Sequence, residues 1–106
     1  MGAPQSLESR TTGMATRWRR RRMCMLIADA PAPAALREIS ARGAFVETNI
    51  RPPLGTSVEL RHPDAGSIAA TVRSIADDGV GIVFSYGERS VAFALAAIAA
   101  DMSRPG

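Results

Sequence analysis

The sequence is poor in the residues on which most enzymes and metal sites depend. Its 106 residues include one cysteine, one histidine and no lysine. Cys24 cannot form an internal disulfide bond, and its place in an apolar run predicts a small buried side chain. His62 has no Cys or His partner, so we expect a surface residue and not a metal ligand. Neither Cys24 nor Ser40 has a histidine available beside it, and no glycine-rich phosphate loop opens a helix, which favours a non-catalytic binding module.

Long hydrophobic runs are missing as well. No stretch approaches the roughly 18 apolar residues that a membrane-spanning helix needs, and the longest candidate, residues 91–100, is too short. Arginines followed by residues 23–28 resemble the start of an export signal, but this apolar run has about six residues where roughly 7–15 are needed. We therefore expect no membrane span and a cytoplasmic location.

Positive charge is concentrated at the start of the chain. Residues 1–22 contain six arginines and one acidic residue, whereas the remaining residues contain seven arginines and nine acidic residues. Five of the six positions from Arg17 to Arg22 are arginine. A guanidinium presents a fixed fork of donors that fits phosphate oxygens or the edge of a guanine. This segment is thus a candidate anion-binding arm, and the body does not indicate a broad nucleic-acid-binding face.

The pattern of apolar residues predicts a mainly β domain. Residues 1–16 have few apolar side chains and are expected to be disordered. We predict five or six short antiparallel strands, with a turn at residues 29–34 and a long second strand over residues 36–48 that is interrupted at Gly43. Such short strands, joined by hairpins, close most simply into a small barrel over residues 23–86.

The period changes near the end of the chain and predicts a helix over residues 90–102. Ser90 is the expected N-cap, and the many alanines favour helix. The apolar residues that recur at helical spacing are Val91, Leu95, Ile98 and Met102. We expect this stripe to pack against the barrel.

Three features also occur together in a known family. They are Arg17-x-x-x-Arg21 ahead of the first strand, the motif Glu38-Ile39-Ser40-Ala41-Arg42-Gly43 with its following apolar residues, and Gly79–Phe84 leading into the last helix. In this order the chain resembles the PilZ domains, bacterial receptors for the second messenger cyclic di-GMP. The resemblance covers about residues 17–102. It implies a PilZ-like domain at residues 17–103, with an arginine arm (residues 17–22), an antiparallel β-barrel and a C-terminal helix.

The resemblance also implies a ligand site without a catalytic residue, a metal or a cofactor. The ligand-binding residues that it implies are Arg17, Arg21, Arg22, Glu38, Ser40 and Gly43. Arg22 is the alternative second arginine if the first strand begins at Met23. Ser40 would supply a hydroxyl, Gly43 a close backbone approach, and Glu38 an acceptor for guanine N–H groups. Binding of cyclic di-GMP would order the arm against the barrel and expose a surface to a downstream effector protein.

Two alternatives stay open. Glu38 stands where the family usually has Asp or Asn, and its extra methylene displaces the carboxylate by about a bond length, to which polar recognition is sensitive. This favours a PilZ-like domain that no longer binds nucleotide and acts as a protein-interaction adaptor. The other alternative is a basic-armed barrel that binds nucleic acid or an anionic membrane through its tail. Two observations argue against this alternative. Trp18 is the single aromatic residue that we expect to be exposed, and the strand faces lack aromatic residues on which bases could stack.

Overall fold

Within the described residues, 22–102, six antiparallel strands of this computed structural model close into a barrel. The strands are β1 (Arg22–Ile27), β2 (Pro31–Ile39), β3 (Gly43–Thr48), β4 (Ser57–His62), β5 (Gly66–Ala76) and β6 (Gly79–Phe84). Their order around the barrel is β1-β2-β3-β6-β5-β4, and β4 pairs back with β1. A helix, α1 (Glu88–Met102), follows. The predicted fold class, a small antiparallel barrel with a C-terminal helix, is confirmed.

The core lies inside the barrel and follows from the alternation of side chains along each strand. In β6, Val80, Ile82 and Phe84 are buried, whereas Gly81 and Val83 face outward, as the period of two predicts. Buried apolar side chains from all six strands meet in one cluster. Closure of the sheet pairs the strand edges with one another and lets a short chain build a continuous core.

The predicted turn and long second strand are wrong in their bounds, because β2 begins at Pro31 and runs through the predicted turn. The Thr48 hydroxyl donates to the Pro33 carbonyl over 2.9 Å, so the backbone polar atoms of Pro33 face the β3 side. Pairing between β2 and β3 begins only at Ala34. The proline nitrogen, which lacks a hydrogen, therefore points to an unpaired stretch of edge, where proline is tolerated in a strand.

A β-bulge in β2 changes which side chains face outward. The register with β3 shifts between Leu36 and Glu38, so that Arg37 is the extra residue. Leu36 packs against the core, while Arg37 and Glu38 are both exposed. Gly43, where the sequence predicts an interruption of one strand, instead begins β3 after a hairpin turn.

The helix packs against β5 and β2, and its start is set by a local hydrogen-bond pair. The Ser90 hydroxyl accepts from the Gly87 N–H over 2.9 Å and donates to the Gly87 carbonyl over 3.0 Å. The helix begins at Glu88, so Ser90 lies in its first turn, and the prediction that Ser90 is the N-cap is wrong. No helix within residues 22–102 has the length and hydrophobicity that a membrane span requires.

The face that α1 packs on the barrel is not the predicted stripe. Its buried residues are Ser90, Phe93, Ala94 and Ala97. Phe93 meets Phe84 edge-on, with ring centroids 5.7 Å apart, and the alanines allow a close approach to the barrel. Leu95 and Met102 of the predicted stripe are exposed. Residues 91–100 contain no charged residue, so the sequence offers two apolar helix faces and periodicity alone cannot choose between them.

Candidate functional site

The β2–β3 turn borders a shallow groove of about 400 Å³ on the outer face of the barrel. The residues that line it include Glu38, Ser40, Arg42, Gly43, Phe45, Ser74 and Gly81. Three predicted ligand-binding residues, Glu38, Ser40 and Gly43, are therefore in one groove. Arg17 and Arg21, together with the predicted tail of residues 1–16, lie outside the described residues.

Backbone and hydroxyl hydrogen bonds close the turn around Ser40. The Ser40 N–H donates to the Gly43 carbonyl over 2.8 Å, and the Arg42 N–H donates to Ser40 Oγ over 3.1 Å. The contact from Ser40 Oγ to the Gly43 carbonyl is longer, at 3.5 Å. A serine hydroxyl that accepts from an N–H two residues ahead is a common turn device. Because its one proton is engaged only at that long distance, the hydroxyl can still donate to a ligand.

Two glycines of the groove lie at close contacts with the neighbouring strands. Gly43 pairs with Val83, and a Cβ built on Gly43 would approach the Ile82 carbonyl oxygen to less than 3.0 Å. A Cβ on Gly81 would come equally close to Ser74 Oγ. Gly43 therefore marks a close approach of the β3 and β6 backbones, whereas at Gly81 the crowding atom is a side-chain hydroxyl.

Arg37 lies next to the groove, but its charge is already matched. Its Nη1 lies 2.9 Å from the Glu47 carboxylate and 2.7 Å from that of Asp78. The hydrogen bond from Arg37 holds the pKa of Asp78 below its usual value. The guanidinium also stacks on the outward ring of Phe45, 4.2 Å from its centroid. Arg37 thus holds Phe45 in place and has little charge left for an anion.

Arg42 is the one cation among the residues that line the groove, and Glu38 is the one anion. The Arg42 side chain is exposed and stacks over Tyr86, with 4.8 Å from its central carbon to the ring centroid. This contact holds a guanidinium beside the turn. The two charges of the groove cancel, so a doubly charged anion would need positive charge from outside it.

The structure directs the side chain of Arg22 away from this groove. Arg22 shares the inward alternation of Cys24 and Leu26 at the start of β1. Its side chain is 14% exposed and lies 3.5 Å from the Asp64 carboxylate, whereas Glu38 points outward from β2. Arg22 is not brought together with Glu38, Ser40 and Gly43.

His62 is buried, with 4% exposure, and its predicted surface position is wrong. Its Nδ1 accepts from the backbone N–H groups of Asp64 and Ala65 over 3.0 and 3.1 Å. The proton of the neutral ring is therefore on Nε2. Burial is the larger of two causes that lower the pKa of His62, and the positive charge of Arg22 is the second. This histidine serves as an acceptor that closes the β4–β5 turn.

The groove residues that sequence reasoning did not predict as ligand-binding include Arg42, Phe45, Ser74 and Gly81. Phe45 reaches the groove because the β2 bulge pairs Glu38 with Phe45, and Gly81 pairs with Phe45 from the other side. A glycine inside a strand pattern indicates a close approach, so Gly81 carried a usable signal. Ser74 carried none, because its place depends on a second register shift, in β5.

Comparisons with known proteins add no relative to this description. No protein-family model, no curated protein and no solved structure matches the chain. The resemblance to the PilZ domains therefore rests on the motif residues in their order along the chain.

Proposed function

We propose that the protein is a non-catalytic receptor domain that binds cyclic di-GMP in the groove beside the β2–β3 turn, as PilZ domains do. The observation that carries the proposal is that Glu38, Ser40 and Gly43 all line one exposed groove. The resemblance implies a bacterial cytoplasm as its setting and a downstream effector protein as its second partner.

Positive charge for the two phosphates would come from the arginine arm. Arg22 pairs with Leu36, two residues before Glu38, so the chain enters β1 beside the groove. Arg21 directly precedes Arg22 in the chain. Arg17 lies five residues before Arg22, so an extended chain places it no more than about 17 Å from Arg22. Both arginines can therefore reach the groove, whose own charges cancel. Arginine forks onto phosphate oxygens and onto guanine O6 and N7, which suits this ligand.

The groove residues would recognise the bases. Glu38 is exposed and can accept from the N–H groups of guanine, and the Ser40 hydroxyl can donate. The ring of Phe45, which lines the groove, offers apolar surface on which a planar base can pack. The arm would lose conformational freedom when it orders on the ligand, and charge-assisted hydrogen bonds offset that loss. Ordering of the arm would change the surface presented to an effector.

Calorimetric titration of the full chain with cyclic di-GMP tests the proposal. We expect saturable binding that Arg21→Ala and Ser40→Ala each weaken by about 10- to 100-fold, since a hydrogen bond to a charged group contributes about 1.5–3 kcal/mol. Arg61→Ala is the matched control, because Arg61 is an exposed arginine on β4 that does not line the groove. Its affinity should stay within about twofold of the wild type. Absence of binding at high micromolar ligand, or equal losses in all three variants, would refute the proposal.

The same titration separates the alternatives. If the protein is an adaptor that has lost nucleotide binding, the wild type would give no heat of binding. Its Glu38→Asp variant, whose side chain is shorter by one methylene, would bind the ligand. A tail that binds anions without specificity would show steep salt dependence and equal affinity for cyclic di-AMP or short nucleic acids. For the proposed receptor we expect a preference for the guanine ligand.

A further inference from the structure

The solvent-facing side of α1 is apolar. Leu95 is 62% exposed, Ile98 38% and Met102 77%, and Val91 on the same side is half-buried. The opposing side of α1 already packs on the barrel through Phe93, so this stripe is additional to the core. A surface helix normally carries polar residues on its outer face, and a contiguous exposed apolar patch marks an interaction site.

The stripe has the spacing of a short coiled-coil seam. Its four residues are separated by four, three and four positions, which is the alternation of a and d in heptads. The pattern is also symmetric about the point between residues 96 and 97. Val91 and Met102 are equally far from that point, and so are Leu95 and Ile98. In an antiparallel pair of such helices, Leu95 meets Ile98 of the other helix, and Val91 meets Met102.

We propose that the protein forms a homodimer in which α1 packs antiparallel against α1 of a second copy. The symmetric spacing makes the stripe complementary to itself, and a twofold contact of this kind closes without leaving an open end. Ala92 and Ala99 flank the stripe and let two helices approach closely. The surface is separate from the groove beside the β2–β3 turn, so the proposal does not depend on the proposed ligand.

Charge argues against the other occupants of the stripe. The arginine-rich segment of this chain is too polar to cover an apolar seam. An anionic membrane surface favours helices with Lys or Arg on the polar face, but α1 carries Glu88 and Asp101 against Arg89. The seam runs from Val91 to Met102, which is less than two heptads, or roughly 18 Å. Such a contact is small for a permanent interface, and we expect a dissociation constant in the micromolar range.

Sedimentation equilibrium of the full chain over a wide concentration range tests the dimer. We expect a monomer–dimer equilibrium that Leu95→Glu weakens at least about tenfold. Leu54→Glu is a matched control, because Leu54 is 64% exposed in the loop before β4 and its substitution makes the same change in charge. It should change the dissociation constant by less than about twofold. A wild type that stays monomeric at several hundred micromolar, or equal effects of both variants, would overturn the proposal.

Disulfide trapping tests the antiparallel orientation. Cys24, the chain's single cysteine, is buried, and burial raises its pKa to about 11, so it should not react under mild oxidation. When Leu95→Cys and Ile98→Cys chains are mixed, the antiparallel dimer predicts that the mixed 95–98 product exceeds both identical pairs at least about threefold. Predominance of 95–95 and 98–98 products, told apart by mass, contradicts it. Pelleting of a monomeric protein with phosphatidylglycerol vesicles, lost in Leu95→Glu, would assign the stripe to a membrane instead.

Discussion

Substitution of Gly43 by alanine is a direct test of the close approach between β3 and β6. The new methyl would meet the Ile82 carbonyl oxygen below 3.0 Å, with Val83 Cα at 3.1 Å and the Ile82 carbonyl carbon at 3.2 Å. All three atoms are backbone, so no side chain can rotate away. To restore ordinary contact, the two strands must separate by up to about one ångström. This separation would occur at the first residue of β3, which lines the candidate groove.

The magnitude follows from two opposing effects. Inserting a methyl into a packed region costs about 1–3 kcal/mol. Replacing glycine by alanine also restricts the unfolded chain, which returns about 0.4–1 kcal/mol where the native backbone is compatible. We therefore expect Gly43→Ala to lower the free energy of unfolding by about 1–2 kcal/mol. For a domain of this size that corresponds to a fall of roughly 5–15 °C in the melting temperature.

Gly81→Ala provides the matched comparison, because it is in the same groove and its close contact is with a side chain. The methyl would meet Ser74 Oγ, while Ser74 Cβ lies at an ordinary 3.6 Å. The double variant Gly81→Ala/Ser74→Ala should therefore have nearly wild-type stability. Urea unfolding followed by circular dichroism measures all three proteins. The reasoning fails if Gly43→Ala stays within about 0.5 kcal/mol of wild type, the ordinary scatter of surface substitutions, or if the double variant loses as much as Gly43→Ala.

Two further predictions concern the contact between the helix and the barrel. Phe93→Ala removes a buried ring that packs on Phe84 and His62, and it should lower the free energy of unfolding in urea by about 3–5 kcal/mol. A comparable loss of stability in Leu95→Ala would contradict the observed helix face. Because the native pKa of His62 is lowered, the unfolded chain binds a proton that the native state does not, so stability should fall as the pH drops below about 6.5. His62→Asn keeps an acceptor for the turn N–H groups and should reduce this loss between pH 7.5 and 5, and an unchanged pH profile would argue against it.

The strands show how far local pattern reaches. In β6 the alternation of buried Val80, Ile82 and Phe84 with Gly81 and Val83 was sufficient, because both faces of a strand follow from its own sequence. The start of β2 was missed because the meaning of a proline depends on its neighbour. Pro33 is compatible with a strand only where no partner needs its N–H, and that depends on where β3 ends.

The candidate site divides in the same way. Ser40 and Gly43 were predicted because turn chemistry is local, and Glu38 because it belongs to the same motif. Phe45 and Ser74 join the groove through two register shifts between strands, which no short stretch of sequence encodes. The side chain of Arg22 points inward because of the position at which it enters β1.

By itself, the sequence determined the secondary-structure classes, the barrel with its C-terminal helix, and the residues that share each helix face. Only the tertiary structure decided that α1 packs through Phe93 and Ala97 and leaves Leu95 exposed. The physical reason is that periodicity specifies which side chains lie together on a helix. The shape of the barrel surface specifies which of two apolar faces can approach it closely.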